Sequence, residues 1–99
     1  MLYAIIGKDA PGTRETRISA RARHVARVDA LVTAGRLIIA GPFPAIDSAD
    51  PGPAGVTGSL IVAEFDSLTD AKAWIAADPY VTEGVFDSVE VQPFIKVRP

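Results

Sequence analysis

"RLIIAGPFPAIDSADPGPAGVTGSLIVAEF", residues 36–65, is the stretch that decides the fold. Two short apolar runs stand in it, "RLIIAG" (36–41) and "TGSLIVAEF" (57–65), each bounded by turn residues as a strand is. Pro42 ends the first. Between them "FPAIDSADPGPAG" (43–55) is rich in proline and glycine and is expected to be irregular, a long loop for so short a chain. Two strands therefore follow one another with no helix between them.

On the N-terminal side, Arg14 to Ala34 contains neither Pro nor Gly. Ile18, Ala22, Val25, Val28 and Val32 recur at helical spacing, and Gly35 stands where a helix is capped. Before that helix, "LYAIIGK" (2–8), closed by "DAPG", is a strand. On the C-terminal side, Ser67 with Asp70 forms a capping box for a helix from about Leu68 to Ala77. Asp78-Pro79 breaks it, Gly84 closes a further turn, and "SVEVQPFIKV" (88–97) alternates as a last strand. Pro93 marks that strand as a sheet edge or a bulge. The order is βαββαβ, the split βαβ arrangement, in one domain spanning residues 1–99.

Both helices of this arrangement cover one face of the sheet. Yet "YAII" and "LIVA" are apolar at odd and even positions alike, as in strands buried on both faces. A second copy of the chain, packed sheet to sheet, is the expected cover. The bulk composition agrees: 48% of residues are apolar and mean hydropathy is positive, more than one small core needs unless some of that surface lies in an interface.

Several function classes are excluded by composition. No apolar run approaches the roughly 18 residues of a membrane span, and "MLYAIIGKD" lacks the basic start of a secretion signal, so a cytoplasmic protein is expected. There is no cysteine, hence no thiolate chemistry, and one histidine is too few for a convincing metal site. No glycine-rich phosphate-binding motif is present, so no cofactor is expected. An RNA-binding sheet would need aromatics on its central strands, and "GSLIVAEF" offers only Phe65. The formal charge is −2, although most of the positive charge lies between Arg14 and Arg36, which suits a small anionic ligand better than nucleic acid.

That basic stretch holds the single histidine, in "ARARHVARVD" (20–29). At about 100° per residue, with Ile18 at zero, Ala22, Val25, Val28 and Val32 fall within roughly 80° and form the expected core face. His24 lies at about −120°, on the border of that face, in a stripe with Arg14, Arg17 and Arg21; Arg23 points away. Asp29 falls on the apolar side, without an account. Neighbouring guanidinium groups favour a neutral imidazole, which can act as a general base while arginines hold an anion. The plainer alternative is a border histidine with one backbone hydrogen bond beside a solvated basic face. A base needs an orienting group. Asp78, after the apolar "WIAA" and before Pro79-Tyr80, is the most suggestive carboxylate, although Asp before Pro also simply starts a turn.

Taken together, "MLYAIIGKDAPG" (1–12), "RHVARVDALVTAGRLIIAGPFPAIDSADPGPAGVTGSLIVAEFDS" (23–67) and "AWIAADPYVTEGVFDSVEVQPFIKV" (73–97) resemble the YciI-like, or YCII-related, proteins. The linked run of His24, Gly35-Arg36-Leu37, Gly41-Pro42, Asp50-Pro51-Gly52, Gly58-Ser59 and Asp78-Pro79-Tyr80 makes the resemblance specific. It implies a ferredoxin-like α+β sandwich, with an antiparallel four-stranded sheet, two helices on one face and a dimeric α+β barrel-type assembly. It also implies an active site that pairs His24 with Asp78. One branch of the family eliminates chloride from a chlorinated hydroxyhydroquinone; fold analogy does not transfer that substrate.

The function expected on these grounds is a cofactor-independent lyase or isomerase acting on a small anionic or phenolic cyclic substrate. His24 would move a proton, Asp78 would orient it, and Arg17 and Arg21 would hold the anion. Gly41, Pro42, Ser59 and Tyr80 would line the pocket. The competing expectation is a non-catalytic, metabolite-binding or accessory dimeric domain.

Overall fold

The strands that are apolar at every position are the two that end up in the middle. In the computed structural model, which describes residues 1–99, four strands and three helices follow the chain: β1 Leu2–Asp9, α1 Arg14–Thr33, β2 Leu37–Pro44, β3 Val56–Glu64, α2 Leu68–Ala76, α3 Pro79–Thr82 and β4 Phe86–Phe94. The sheet order is β2-β3-β1-β4 and every neighbouring pair is antiparallel. This is the ferredoxin-like α+β fold. No helix is long and apolar enough to cross a membrane.

Register determines what each face presents. Tyr3 lies opposite Ala63 and Ile5 opposite Ile61, and all four side chains are buried under the helices with Leu31, Ala71, Ile75 and Phe86. The next residue along, Gly7, lies opposite Ser59. A methyl group at Gly7 would sit 2.5 Å from the Phe86 ring, so only glycine lets that ring lie across the strand. On the other face Ala4 lies opposite Val62, which lies opposite Ile39 of β2. Ile39 is 57% exposed, and Phe43 and Phe94 are also exposed. One face of the sheet is therefore a helix-covered core and the other is open and apolar.

Both edge strands carry proline. β4 is an edge, and Pro93 pairs with Tyr3. β2 is the other edge and does not stop at Pro42: it runs on through Phe43 to Pro44, with Pro42 opposite Ser59. An edge position tolerates a missing donor, which is why the proline fails to break the strand. The stretch expected to be irregular over 43–55 shortens accordingly, and its end forms a 3₁₀ turn at Gly52–Ala54. β4 likewise begins at Phe86 and closes at Phe94, two residues earlier than expected at its start and three at its end.

The helix ends follow the sequence. Gly35 adopts φ +70°. Its N–H donates to Val32 and that of Arg36 to Leu31, the Schellman closure of α1. Ser67 accepts the Asp70 N–H at 3.0 Å at the start of α2. The turn after Asp78-Pro79 is a third, single-turn helix, α3, packed against α1.

The face that α1 turns inward is not the aliphatic one. Ala20, His24 and Leu31 are its buried residues, whereas Ile18 is 63% exposed and Val32 is exposed as well. Val25 and Val28 lie half-buried at the margin and Ala22 is exposed. His24 is consequently at the centre of the inward face, not on its border, and Asp29 points to solvent. Polar partners waiting on α3 and β1 outweigh a stripe of small aliphatics in orienting this helix.

Candidate active site

Asp78 is where two local rules meet. Its backbone is extended just before Pro79, as the residue before a proline prefers, and its side chain accepts the Tyr80 N–H at 2.9 Å, capping α3. The same carboxylate, fully buried, receives His24 Nδ1 at 2.9 Å on Oδ1 and 3.0 Å on Oδ2. An ionised carboxylate only accepts, so Nδ1 carries the hydrogen and the lone pair of a neutral ring lies on Nε2.

A third group completes the arrangement. Arg27 donates to Asp78 Oδ2 at 2.9 Å and to the Trp74 carbonyl at 2.8 Å, with its guanidinium 4.4 Å from the centre of the Trp74 ring. Burial by itself would push the Asp78 carboxyl up. The hydrogen bonds from His24 and the Tyr80 N–H, the charge of His24 and the bond from Arg27 together hold it below the usual carboxylate range. Asp78 therefore stays ionised although no water reaches it.

Tyr80 lies flat against His24, ring centres 4.0 Å apart and planes 17° from parallel. Its opposite support is Phe86, edge-on at 5.5 Å. Burial raises the Tyr80 hydroxyl against the opposing charges of Arg17 and Arg21, so it is a neutral wall and donor at physiological pH.

His24, Arg17, Arg21, Gly41, Pro42, Ser59 and Tyr80 all border one open-mouthed cavity of about 220 Å³, whose remaining lining is apolar residues of α1, β2 and β3. Typical ligand pockets run from roughly 300 to 1,000 Å³, so this one suits a single small ring. Asp78 stands behind His24, outside the cavity. The two arginines differ. Arg17 is tied to Asp9 through Nε at 2.8 Å and Nη2 at 3.0 Å, and to Ser59 Oγ through Nη2 at 2.9 Å, whereas Arg21 is exposed and makes no hydrogen bond or ion pair. Both arginines expected beside a ligand thus border the cavity, Arg17 with its guanidinium already engaged and Arg21 with its own unengaged. Arg14, the fourth member of the supposed stripe, instead donates to the Pro53 carbonyl. No three His, Cys, Asp or Glu side chains converge anywhere in the chain as a metal cage.

Sequence reasoning missed Arg27 and Asp9. Arg27 stands three residues beyond His24, but the 14–17–21–24 stripe runs in steps of three, four and three, so its next position is Val28 and the pattern does not mark Arg27. Asp9 opens "DAPG" and looked like an ordinary turn former.

Residues 1–95 match the family model of the YCII-related domain. Protein YciI of Escherichia coli O6:H1 is 54% identical over 97 residues, which span 98% of this chain and 99% of that protein. An uncharacterized protein of Haemophilus influenzae is 48% identical, with the same coverage of both chains. Among solved structures, 5-chloro-2-hydroxyhydroquinone dehydrochlorinase (TftG) of Burkholderia phenoliruptrix AC1100, in complex with 2,5-dihydroxybenzoquinone, is similar with a TM-score of 0.83 and 26% sequence identity. The match covers 96% of this chain and 94% of that one.

Proposed function

This chain belongs to the YCII-related domain family, and from that premise we propose that it is a cofactor-independent lyase or isomerase. In this reading His24 transfers a proton to and from a small anionic or phenolic ring. The observation that carries it is the buried Asp78 carboxylate bonded to His24 Nδ1 at 2.9 Å, which leaves Nε2 without a protein partner at the wall of a ring-sized cavity. Asp78 fixes the tautomer and stabilises the imidazolium that forms when His24 takes a proton. Arg21, the unpaired cation of that wall, holds the substrate's permanent negative charge. The dehydrochlorinase of similar fold binds a dihydroxybenzoquinone, which supports a compact, oxygen-rich ring as the ligand class. A second copy of the chain covers the open sheet face, and the exposed Ile39, Phe43 and Phe94 support that assembly.

The test uses the single histidine. Its ring-proton NMR titration is recorded in the native protein and in Asp78→Asn, with and without 2,5-dihydroxybenzoquinone. Asp78 supplies both acceptors of His24 Nδ1, and linkage is reciprocal, so replacing the carboxylate with an amide changes the His24 titration curve. The quinone shifts the His24 ring signals in the native protein. Superimposable titrations of the two proteins, with no response to the quinone, would mean that the pair does not act as an acid–base unit. Quinone binding that survives in His24→Ala, read by calorimetry because that variant has no histidine ring, without turnover of any ring substrate by the native protein would favour a metabolite-binding domain instead.

A further inference from the structure

Ser59 occupies an unusual place for a hydroxyl. It sits in the middle of the sheet on the helix-covered face, 6% exposed, and its cross-strand neighbours are Gly7 on one side and Pro42 on the other. Neither has a polar side chain. Its oxygen is already occupied by an incoming hydrogen bond from Arg17 at 2.9 Å, and its own hydrogen has no acceptor among the protein groups. Since Ser59 borders the cavity, that hydrogen is free to be aimed at whatever the cavity holds.

Arg17 is fixed from behind. The pairing of β1 with β4 slips between Lys8 and Asp9, and such a slip re-aims the side chain that follows it. Asp9 there grips the guanidinium at two nitrogens. Tyr80 lies under the same group, 4.6 Å from ring centre to guanidinium carbon. The Asp9–Arg17 pair is neutral as a whole, so it cannot match a permanent anion as Arg21 can. What Ser59 offers the cavity, beside the Asp9-paired guanidinium that also borders it, is a hydroxyl donor polarised by the nearest charge, which suits an oxygen that becomes negative only during the reaction.

We infer that Ser59 is an oxyanion donor, with Arg17 and Asp9 as its positioning residues, and that the substrate is a carbonyl compound, or the keto tautomer of a phenol, with an acidic C–H on the carbon next to the carbonyl carbon. The inference rests on the reading of His24 as the base. His24 Nε2 takes the proton from that carbon. The C–H electron pair forms the new C=C bond, and the carbonyl π pair moves onto oxygen, where Ser59 O–H donates to it without giving up its hydrogen. The enolate then collapses, either taking the proton back from the imidazolium at another carbon or expelling a leaving group with its bonding pair. No oxidant or reductant is needed.

The two states of 4-nitrophenol serve as a probe, because the phenolate carries its charge on the oxygen and is read directly by its visible absorption. Affinity for the phenolate and for the neutral phenol is measured above and below the ionisation of the probe, in native protein, Ser59→Ala and Arg17→Lys. Native protein prefers the phenolate. Ser59→Ala weakens phenolate binding roughly tenfold, the scale of a lost charge-assisted hydrogen bond, and leaves the neutral phenol unchanged; Arg17→Lys gives a smaller loss of the same kind. A purely structural role for Ser59 would move both forms together. Equal phenolate binding by Ser59→Ala, or none by the native protein at millimolar probe, overturns the inference. The His24 titration is measured on the same Ser59→Ala sample: there it keeps its native midpoint, so a failure of the oxyanion site and a failure of the His24–Asp78 pair give different results.

Discussion

Asp78 illustrates how one carboxylate can be demanded by two arguments at once. As a residue before proline it was legible as a turn former, and as the aspartate of Asp78-Pro79-Tyr80 it was legible, through the family resemblance, as the partner of His24. Both hold in the fold, where the same side chain caps α3 and meets His24. Arg27 was not legible, because its bond to Asp78 joins residues 51 apart in sequence and no local pattern marks a long-range ion pair. The charge on Asp78 has a consequence for stability. Its carboxyl titrates below the ordinary 3.8 in the folded chain, so the unfolded chain binds protons first as pH falls. The stability it confers is complete above about pH 4 and is lost as pH drops through the lower folded value. Asp78→Asn keeps an oxygen for the Tyr80 N–H but loses the charge. It should unfold more easily at neutral pH by roughly 1–3 kcal/mol and show a flatter stability profile as pH falls below about 4, read by urea titration at each pH. A profile as steep as that of the native protein would mean that other carboxylates govern acid unfolding.

The order of strands and helices was legible from periodicity and punctuation, and their ends were displaced for identifiable reasons. β2 outran its proline because an edge strand does not need every donor. The inward face of α1 was misassigned because helical periodicity was read from aliphatics alone; the buried surface is organised by His24 and the groups it meets, and hydropathy does not score a hydrogen-bonded histidine as core. Gly7 was read simply as part of a strand, since nothing in a sequence says which ring will cross a given glycine. Its role makes a specific prediction. In Gly7→Ala the added methyl meets the Phe86 ring, and overpacking of this kind costs about 1–3 kcal/mol. Because Phe86 supports Tyr80 and Tyr80 lies on His24, the His24 ring signals should move in the NMR spectrum as well. Phe86→Leu in the same chain should recover part of the stability. Unchanged His24 signals in a destabilised Gly7→Ala would show that the ring stack is not rigid enough to transmit the displacement.

The open sheet face was anticipated from strands apolar at odd and even positions alike, and the fold does leave Ile39, Phe43 and Phe94 without cover. If a second copy lies there, Ile39→Glu should convert a dimer to a monomer in sedimentation equilibrium. The monomer's own stability should move by no more than about 0.5 kcal/mol, since the site is solvent-facing in a single chain. A native protein that sediments as a monomer at every concentration would end the sheet-to-sheet assembly. The prolines at the two borders of the sheet bear on how such a chain can associate at all. Pro42 and Pro44 on β2 and Pro93 on β4 each remove a donor from the only strands at which another strand could be added. Lateral growth into a continuous ribbon, the route to fibrils, is thus obstructed on both sides. A sticky face bordered by two such edges favours assembly that closes after one partner over assembly that polymerises.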